Sequence, residues 1–398
     1  MNLFLQELRK IWRPGILAAL AVLGAVYYYI RPAFYIENFN NGPQAQAEFD
    51  LALDWVQRYG PTIEPEERDE IGKQLEAEEA DFLAYAANSR DLTARGITDY
   101  DSFRAFEAAT HDDYRAAIDR GDAACVNYVV YSGKTNYITI YVLRQFLEDY
   151  DGEVFYAEDG EPHFYADSKR LNEKCRERVQ ILRDRSGRSP LPEMTSYSTS
   201  AYAYYLAVWC MVSAVLLLSP ALVRDRLHRM RSVQWASRRG RKVLRVQFAA
   251  ALSSGLLLTV LNFVLYAVPF SFTQALRLWD CPLHSVQQSY PWFDWTYGQY
   301  LLFLTALVFA LSLGASALTA VLSQYSGNYV AMLLKALPLI VVLAFFNTVV
   351  MQDAFYFSNA ASRFLTLPGG EFLCAALLPA LGLLSCAAAC RRQRSREL

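Results

Sequence analysis

The sequence predicts an α-helical polytopic membrane protein: six transmembrane helices with a mainly helical α+β extracytoplasmic domain inserted after the first. Three observations predict it. Six apolar runs each approach or exceed the ~17–20 residues a helix needs to cross ~30 Å of hydrocarbon. The charge is split: 31–200 holds 33 acids and 19 bases, a net of −14, while the rest holds 7 acids and 19 bases, a net of +12. Finally, the bases outside the acidic insert gather at alternate ends of the apolar runs.

The runs are Pro14–Ile30, Ala201–Val223, Val246–Pro269, Tyr300–Leu322, Val330–Met351 and Phe372–Cys390. The first ends in the bulky "VYYYIRPAFY", with no small-x-small cleavage site, so it reads as an uncleaved span rather than a signal peptide. Arg9, Lys10 and Arg13 precede it, nine Lys/Arg lie in 224–245, and Arg391, Arg392, Arg394 and Arg396 follow the sixth run. The positive-inside rule then places both termini in the cytoplasm and 37–198 outside. Tyr27–Tyr29, Tyr202, Tyr204, Tyr205, Trp292, Trp295 and Tyr297 gather where the outer interfaces would be.

Before the first span, Phe4, Leu5, Leu8, Ile11 and Trp12 share one helical face, with Gln6, Glu7, Arg9 and Lys10 elsewhere. That pattern predicts an interfacial helix on the inner leaflet, in contact with lipid. Three units follow: 1–36, carrying this helix and the first span; 37–198, the outer domain; and 199–398, carrying the other five spans.

In the insert, apolar periodicity predicts helices over Ala45–Tyr59, Pro65–Ser89, Asp99–Thr110, Ile140–Asp149 and Ser168–Arg185. Pro65 followed by Glu66, Glu67, Asp69 and Glu70 suits a helix start. "VNYVVYSGKTNYITIYV" and "VFYAEDGEPHFYA" could instead form hairpins turning at Ser132-Gly133 and Asp159-Gly160. Cys125, Cys175 and Cys281 fall on the outer side, where an oxidising compartment permits a Cys125–Cys175 disulfide.

Catalytic chemistry finds no support. The sequence has no P-loop, no H-E-x-x-H, no nucleophile elbow, and four scattered histidines, His111, His163, His228 and His284, without metal-ligand spacing. The spans carry a small-residue stripe at Ser312, Ser316 and Ala320, prolines at 338 and 379, and one lysine, Lys335, close enough to an end to snorkel. They read as packing walls rather than a charged pathway. The basic stretch 224–245 has Asp225 as its only acid. Pinned to the bilayer at both ends, with no helix-turn-helix or metal-finger spacing around it, it does not read nucleic acid. Anionic lipid accounts for its flanking arginines. It does not account for the polar, turn-bearing "SVQWASRRGRK" at its centre.

Six spans, an amphipathic amino-terminal helix and a basic loop between spans two and three resemble a type-2 ABC exporter permease, in the bacterial form with a large extracytoplasmic domain after the first span. The local likeness lies in "RYGPTIEPEE" (58–67), "SRRGRK" (237–242) and "PLHSV…WTYGQYLLFL" entering the fourth span. The resemblance implies a coupling helix docking on a separate ATPase subunit, with the amino-terminal helix beside it. The docking residues would be Asp225, Arg229, Arg231, Trp235, Ser237, Arg238, Arg239, Gly240, Arg241 and Lys242. Asp225 stands where the family has an acid, and Ser237, Arg239, Gly240 and Arg241 match its S-x-x-G-R-like turn. The family's acid is typically Glu with glycine close behind, whereas here Arg226, Leu227 and His228 follow Asp225. No cofactor is expected on this chain; ATP and Mg would bind in the partner. A second copy or a related permease would complete a twofold pair in a bacterial cell membrane. The competing expectation is a non-transporting sensor or assembly protein whose outer domain binds a ligand.

Overall fold

The computed structural model describes residues 3–151, 169–183, 185, 187–227, 243–284 and 290–395. Among these the chain is helical, and its only β pairing is three isolated bridges, Ile63–Arg188, Pro282–Thr296 and Pro291–Tyr356. The chain opens with α1 (Leu3–Ile11) and α2 (Pro14–Ile30), bent by 48° where Pro14 restarts the helix. After α3 (Pro32–Glu37) comes the insert: α4 (Pro43–Arg58), α5 (Pro65–Asn88), α6 (Arg90–Ala94), α7 (Tyr100–Asp112), α8 (Tyr114–Asp119), α9 (Asp122–Tyr131), α10 (Tyr137–Tyr150) and α11 (Lys169–Arg183). The bundle follows with α12 (Glu193–Leu227), α13 (Val243–Ser271), α14 (Tyr297–Gln324), α15 (Tyr329–Met351), α16 (Ala360–Leu365) and α17 (Gly370–Ser395).

Five helices, α12, α13, α14, α15 and α17, are long and apolar enough to cross a membrane, and the bent pair α1–α2 counts as a sixth only if taken as one span. The chain is an α-helical multi-pass membrane protein. Along α15, Leu334, Leu337, Val341 and Phe345 are exposed on one stripe, the arrangement hydrocarbon solvates and water does not.

α14 is the centre of the bundle, packed between α12, α13, α15 and α17. Small residues let it approach its neighbours. A Cβ on Gly255 of α13 would lie 2.1 Å from Ser316 Oγ, and one on Gly314 would lie 2.8 Å from backbone atoms of Leu378 and Pro379. Polar contacts reinforce the seams: Thr259 and Ser312 hydroxyls meet at 2.6 Å, and Asn262 donates to Ser213 Oγ at 3.0 Å while accepting from Trp209 Nε1 at 3.2 Å. Pro220 removes one donor from the hydrogen-bond ladder of α12, and beside it Ser323 of α14 donates to the Ser219 carbonyl at 2.8 Å and accepts from Leu222 N at 3.1 Å. Gly314→Val is expected to lower the thermal midpoint in detergent by the equivalent of about 1–3 kcal/mol, because backbone cannot move aside as a side chain can. Leu302→Val, at an exposed position on the same helix, should leave it unchanged.

The insert holds two apolar clusters, one around Phe82, Phe103 and Tyr137, the other around Trp55, Ile63 and Leu143. Glu67 Oε2 accepts from Glu64 N at 2.7 Å and Ser102 N donates to Asp99 Oδ1 at 2.8 Å, so local caps fix the starts of α5 and α7. The alternative of a hairpin at Ser132-Gly133 is corrected to a short bend, 132–136, between helices α9 and α10. Val126, Val129, Val130, Tyr137 and Ile140 bury one helix face each against Phe82 and Phe103, and that burial overrides their β propensity. The expected hairpin at Asp159-Gly160 lies outside the described residues. The Cys125–Cys175 disulfide is not formed: both thiols are free, Cys125 against the Phe82 cluster and Cys175 buried on Trp292.

Candidate functional site

The ends of the basic loop converge on a set of charged contacts that close one end of the bundle. Three consecutive residues in the last turn of α12 build it, each reaching a different element. Arg224 donates to the Lys10 carbonyl at 3.1 Å, which caps the end of α1. Asp225, 5% exposed, accepts from Gln247 of α13 at 2.9 Å and pairs with Lys10 Nζ at 3.4 Å through the same oxygen. Lys10 also pairs with Glu7, one turn earlier, at 2.7 Å. Arg226 forks onto the carbonyls of Gln324 at 3.0 Å and Ser326 at 3.1 Å, and Lys335 reaches the Tyr325 carbonyl at 3.1 Å. Two cations thus sit where the dipole of α14 ends negative.

These contacts tie α1, α12, α13, α14 and α15 together at the two points, 227 and 243, between which the basic loop runs. The arrangement carries no nucleophile or metal-ligand set. What it supplies is mechanical continuity: α12 is joined to α1, α13 and the end of α14, and α15 to the end of α14, by charge-assisted bonds.

The sequence-predicted residues divide. Asp225 is at the centre of the cluster, with its carboxylate turned inward. Arg229, Arg231, Trp235, Ser237, Arg238, Arg239, Gly240, Arg241 and Lys242 lie outside the described residues. In α1, Phe4, Leu8, Ile11 and Trp12 pack with Leu222, Leu244 and Phe248, and Trp12 Nε1 donates to Ser254 Oγ at 3.0 Å. Only Leu5, 55% exposed, turns outward. Four of the five residues of the expected interfacial stripe thus pack at least in part against α12 and α13, and the opposite face supplies Glu7 and Lys10 to the cluster. Sequence reading missed Glu7, Lys10, Arg224, Arg226 and Gln247. The available signal was the Glu7/Lys10 pair at i, i+3 in a short apolar helix.

At the opposite end of the bundle, α11 is clamped to the segment 290–294. Arg178 donates to the Pro291 carbonyl at 3.1 Å and pairs with Asp294, which Arg185 also holds at 2.5 Å. Burial pulls the Asp294 carboxyl up, but Arg178 and Arg185 outweigh it and hold it below the usual carboxylate range. Buried beside them, His284 is pushed down to about 4 by desolvation and by Arg185 and Arg178, so it stays neutral. The insert is therefore fixed to the bundle through charge as well as chain. Comparison with known proteins adds no relative: no family model, no curated protein and no solved structure matches this chain.

Proposed function

We propose that this chain is the membrane-spanning subunit of an ABC exporter, with six spans, both termini cytoplasmic, 37–198 outside, and ATP hydrolysed by a separate subunit docked on the loop 224–245. The observation that carries the reading is the charged cluster at the roots of that loop. A loop that served only as a topology signal has no need of a buried carboxylate shared by α1 and α13, nor of an arginine forked onto the end of α14. A loop that must pass force from a soluble engine into the bundle needs both. A second copy would supply the other half of a twofold pathway.

The test is co-expression with candidate P-loop subunits and purification in mild detergent, beside a variant with Arg239, Gly240 and Arg241 replaced by alanine. Native chain is expected to retain an ATPase and its ATP hydrolysis, and the variant to lose both while keeping its thermal midpoint. If no P-loop subunit is retained by the native chain, the exporter reading falls, and a sensor whose insert is clamped to the bundle by Arg178 and Arg185 takes its place.

A further inference from the structure

A cavity of about 230 Å³ opens in the insert between the end of α5, the short α6 and α9. Leu92 and Val129, both buried, give it an apolar lining, and Tyr85 and the half-exposed Tyr128 add two aromatic rings. Its charged lining is one guanidinium and one carboxylate, Arg95 and Asp91, 4.0 Å apart. Arg95 ties the surrounding elements together. Its Nε pairs with Asp122 in the first turn of α9 at 3.1 Å, and its terminal nitrogens donate to the carbonyls of Asp91 at 3.0 Å and Gly121 at 3.4 Å. The Asp91 carboxylate is held only by that loose pair and is 88% exposed at its side chain, so it stands at the mouth. Ser89 also lines the cavity; its Oγ accepts from Leu92 N at 3.4 Å, which leaves its proton to donate.

This lining discriminates between classes of ligand. Its charges sum to zero, so a cation is opposed by Arg95 and an anion by Asp91. A carboxylate is best held by a free arginine fork, and all three nitrogens of Arg95 already donate within the fold. A bare apolar ring would cover Asp91, Arg95 and Ser89 without bonding them, which is costly. A ring that carries several hydroxyls meets none of these objections. Each hydroxyl donates and accepts, and the C–H face of the ring packs on aromatic side chains. The volume sets the size: it lies below the roughly 300–1,000 Å³ of pockets that take drug-sized molecules, which leaves space for about one ring. We propose that this cavity binds a neutral, polyhydroxylated ring, a single sugar unit. Tyr85 and Tyr128 pack on its C–H face, Asp91 accepts from its hydroxyls, and Ser89 and the remaining N–H groups of Arg95 donate to them. The site would serve a carried substrate or a sensed ligand alike, so it does not rest on the exporter reading.

A reporter is built in, because Cys125 lines the cavity and is half-buried, whereas Cys175 and Cys281 are buried. The full chain in phosphatidylcholine nanodiscs is labelled with a charged maleimide, and Cys125→Ser identifies the signal of that thiol. The labelling rate is followed with the methyl glycosides of glucose, galactose, mannose and N-acetylglucosamine. At least one is expected to slow the labelling of Cys125 by about fivefold or more at about 10 mM. Cyclohexanol, tyramine and phenylacetate, which are a ring with one hydroxyl, a cation and an anion, should not. Asp91→Asn and Tyr128→Ala, both at exposed positions, should each weaken the protection by about fivefold or more while the thermal midpoint stays native. Protection by the matching disaccharide as well assigns the site to the end of a glycan, and its absence to a free monosaccharide; both keep the sugar unit. No protection by any of the four glycosides, equal protection by cyclohexanol, stronger protection by tyramine or phenylacetate, or undiminished protection in the folded variants would each overturn the proposal.

Discussion

Asp225→Ala is expected to cost about 1–3 kcal/mol of stability, the range for leaving a buried hydrogen-bonding partner unsatisfied. The carboxylate serves Lys10 and Gln247 at once; its loss strands the buried Gln247 amide, while Lys10, 28% exposed at its side chain, keeps Glu7 at 2.7 Å. Asp225→Asn should fall between, because an amide oxygen still accepts from Gln247 but cannot balance Lys10. The double variant Gln247→Leu with Asp225→Leu should recover most of the loss, since it removes the buried donor along with its acceptor while Lys10 keeps Glu7. Thermal or denaturant unfolding in detergent measures all four chains. If Asp225→Ala unfolds no more readily than native, the cluster at the loop's roots is not holding the bundle together. Under the exporter reading the same variant should still bind an ATPase through 229–242 yet show hydrolysis that no longer responds to substrate.

The bundle was largely legible in the sequence, and the cluster was not. A run such as Ala201–Val223 announces a span because hydropathy is a local sum, yet the helix there runs 35 residues, from Glu193 to Leu227. Its added first turns are rich in Ser and Thr, which hydropathy discounts, although their buried hydroxyls pack against the tyrosines of α14 and bond there, as Thr199 does with Tyr297 at 2.6 Å. The insert's capped helices were readable for the opposite reason: Pro65 with Glu66 and Glu67, and Asp99 with Ser102, are signals contained in one turn. The hairpin expectation failed at Ser132-Gly133 because β-branched runs look alike in a strand and on a buried helix face, and only the distant Phe82 and Phe103 decide between them. Asp225 stood out as the lone acid in a basic stretch, but its partner Lys10 is 215 positions away. No local pattern encodes that meeting.

Asp149→Asn is expected to act in the other direction, stabilising the protein by about 2–4 kcal/mol at pH 8. Burial, then the charges of Glu148, Glu48 and Glu193, push the Asp149 carboxyl up to about 7, against about 3.9 in an unfolded chain. Between those values the folded chain holds a proton that the unfolded chain has released. Each unit of pH gained there costs the native fold up to about 1.4 kcal/mol, and the penalty is complete once pH passes 7. Below about pH 4 both states are protonated, and native and variant should unfold alike. The measurement is the difference in stability between the two chains across that window: near zero at its acid end, rising, then level. A difference that ignores pH, or a variant less stable than native at pH 8, would mean that Asp149 has a positive partner within the fold.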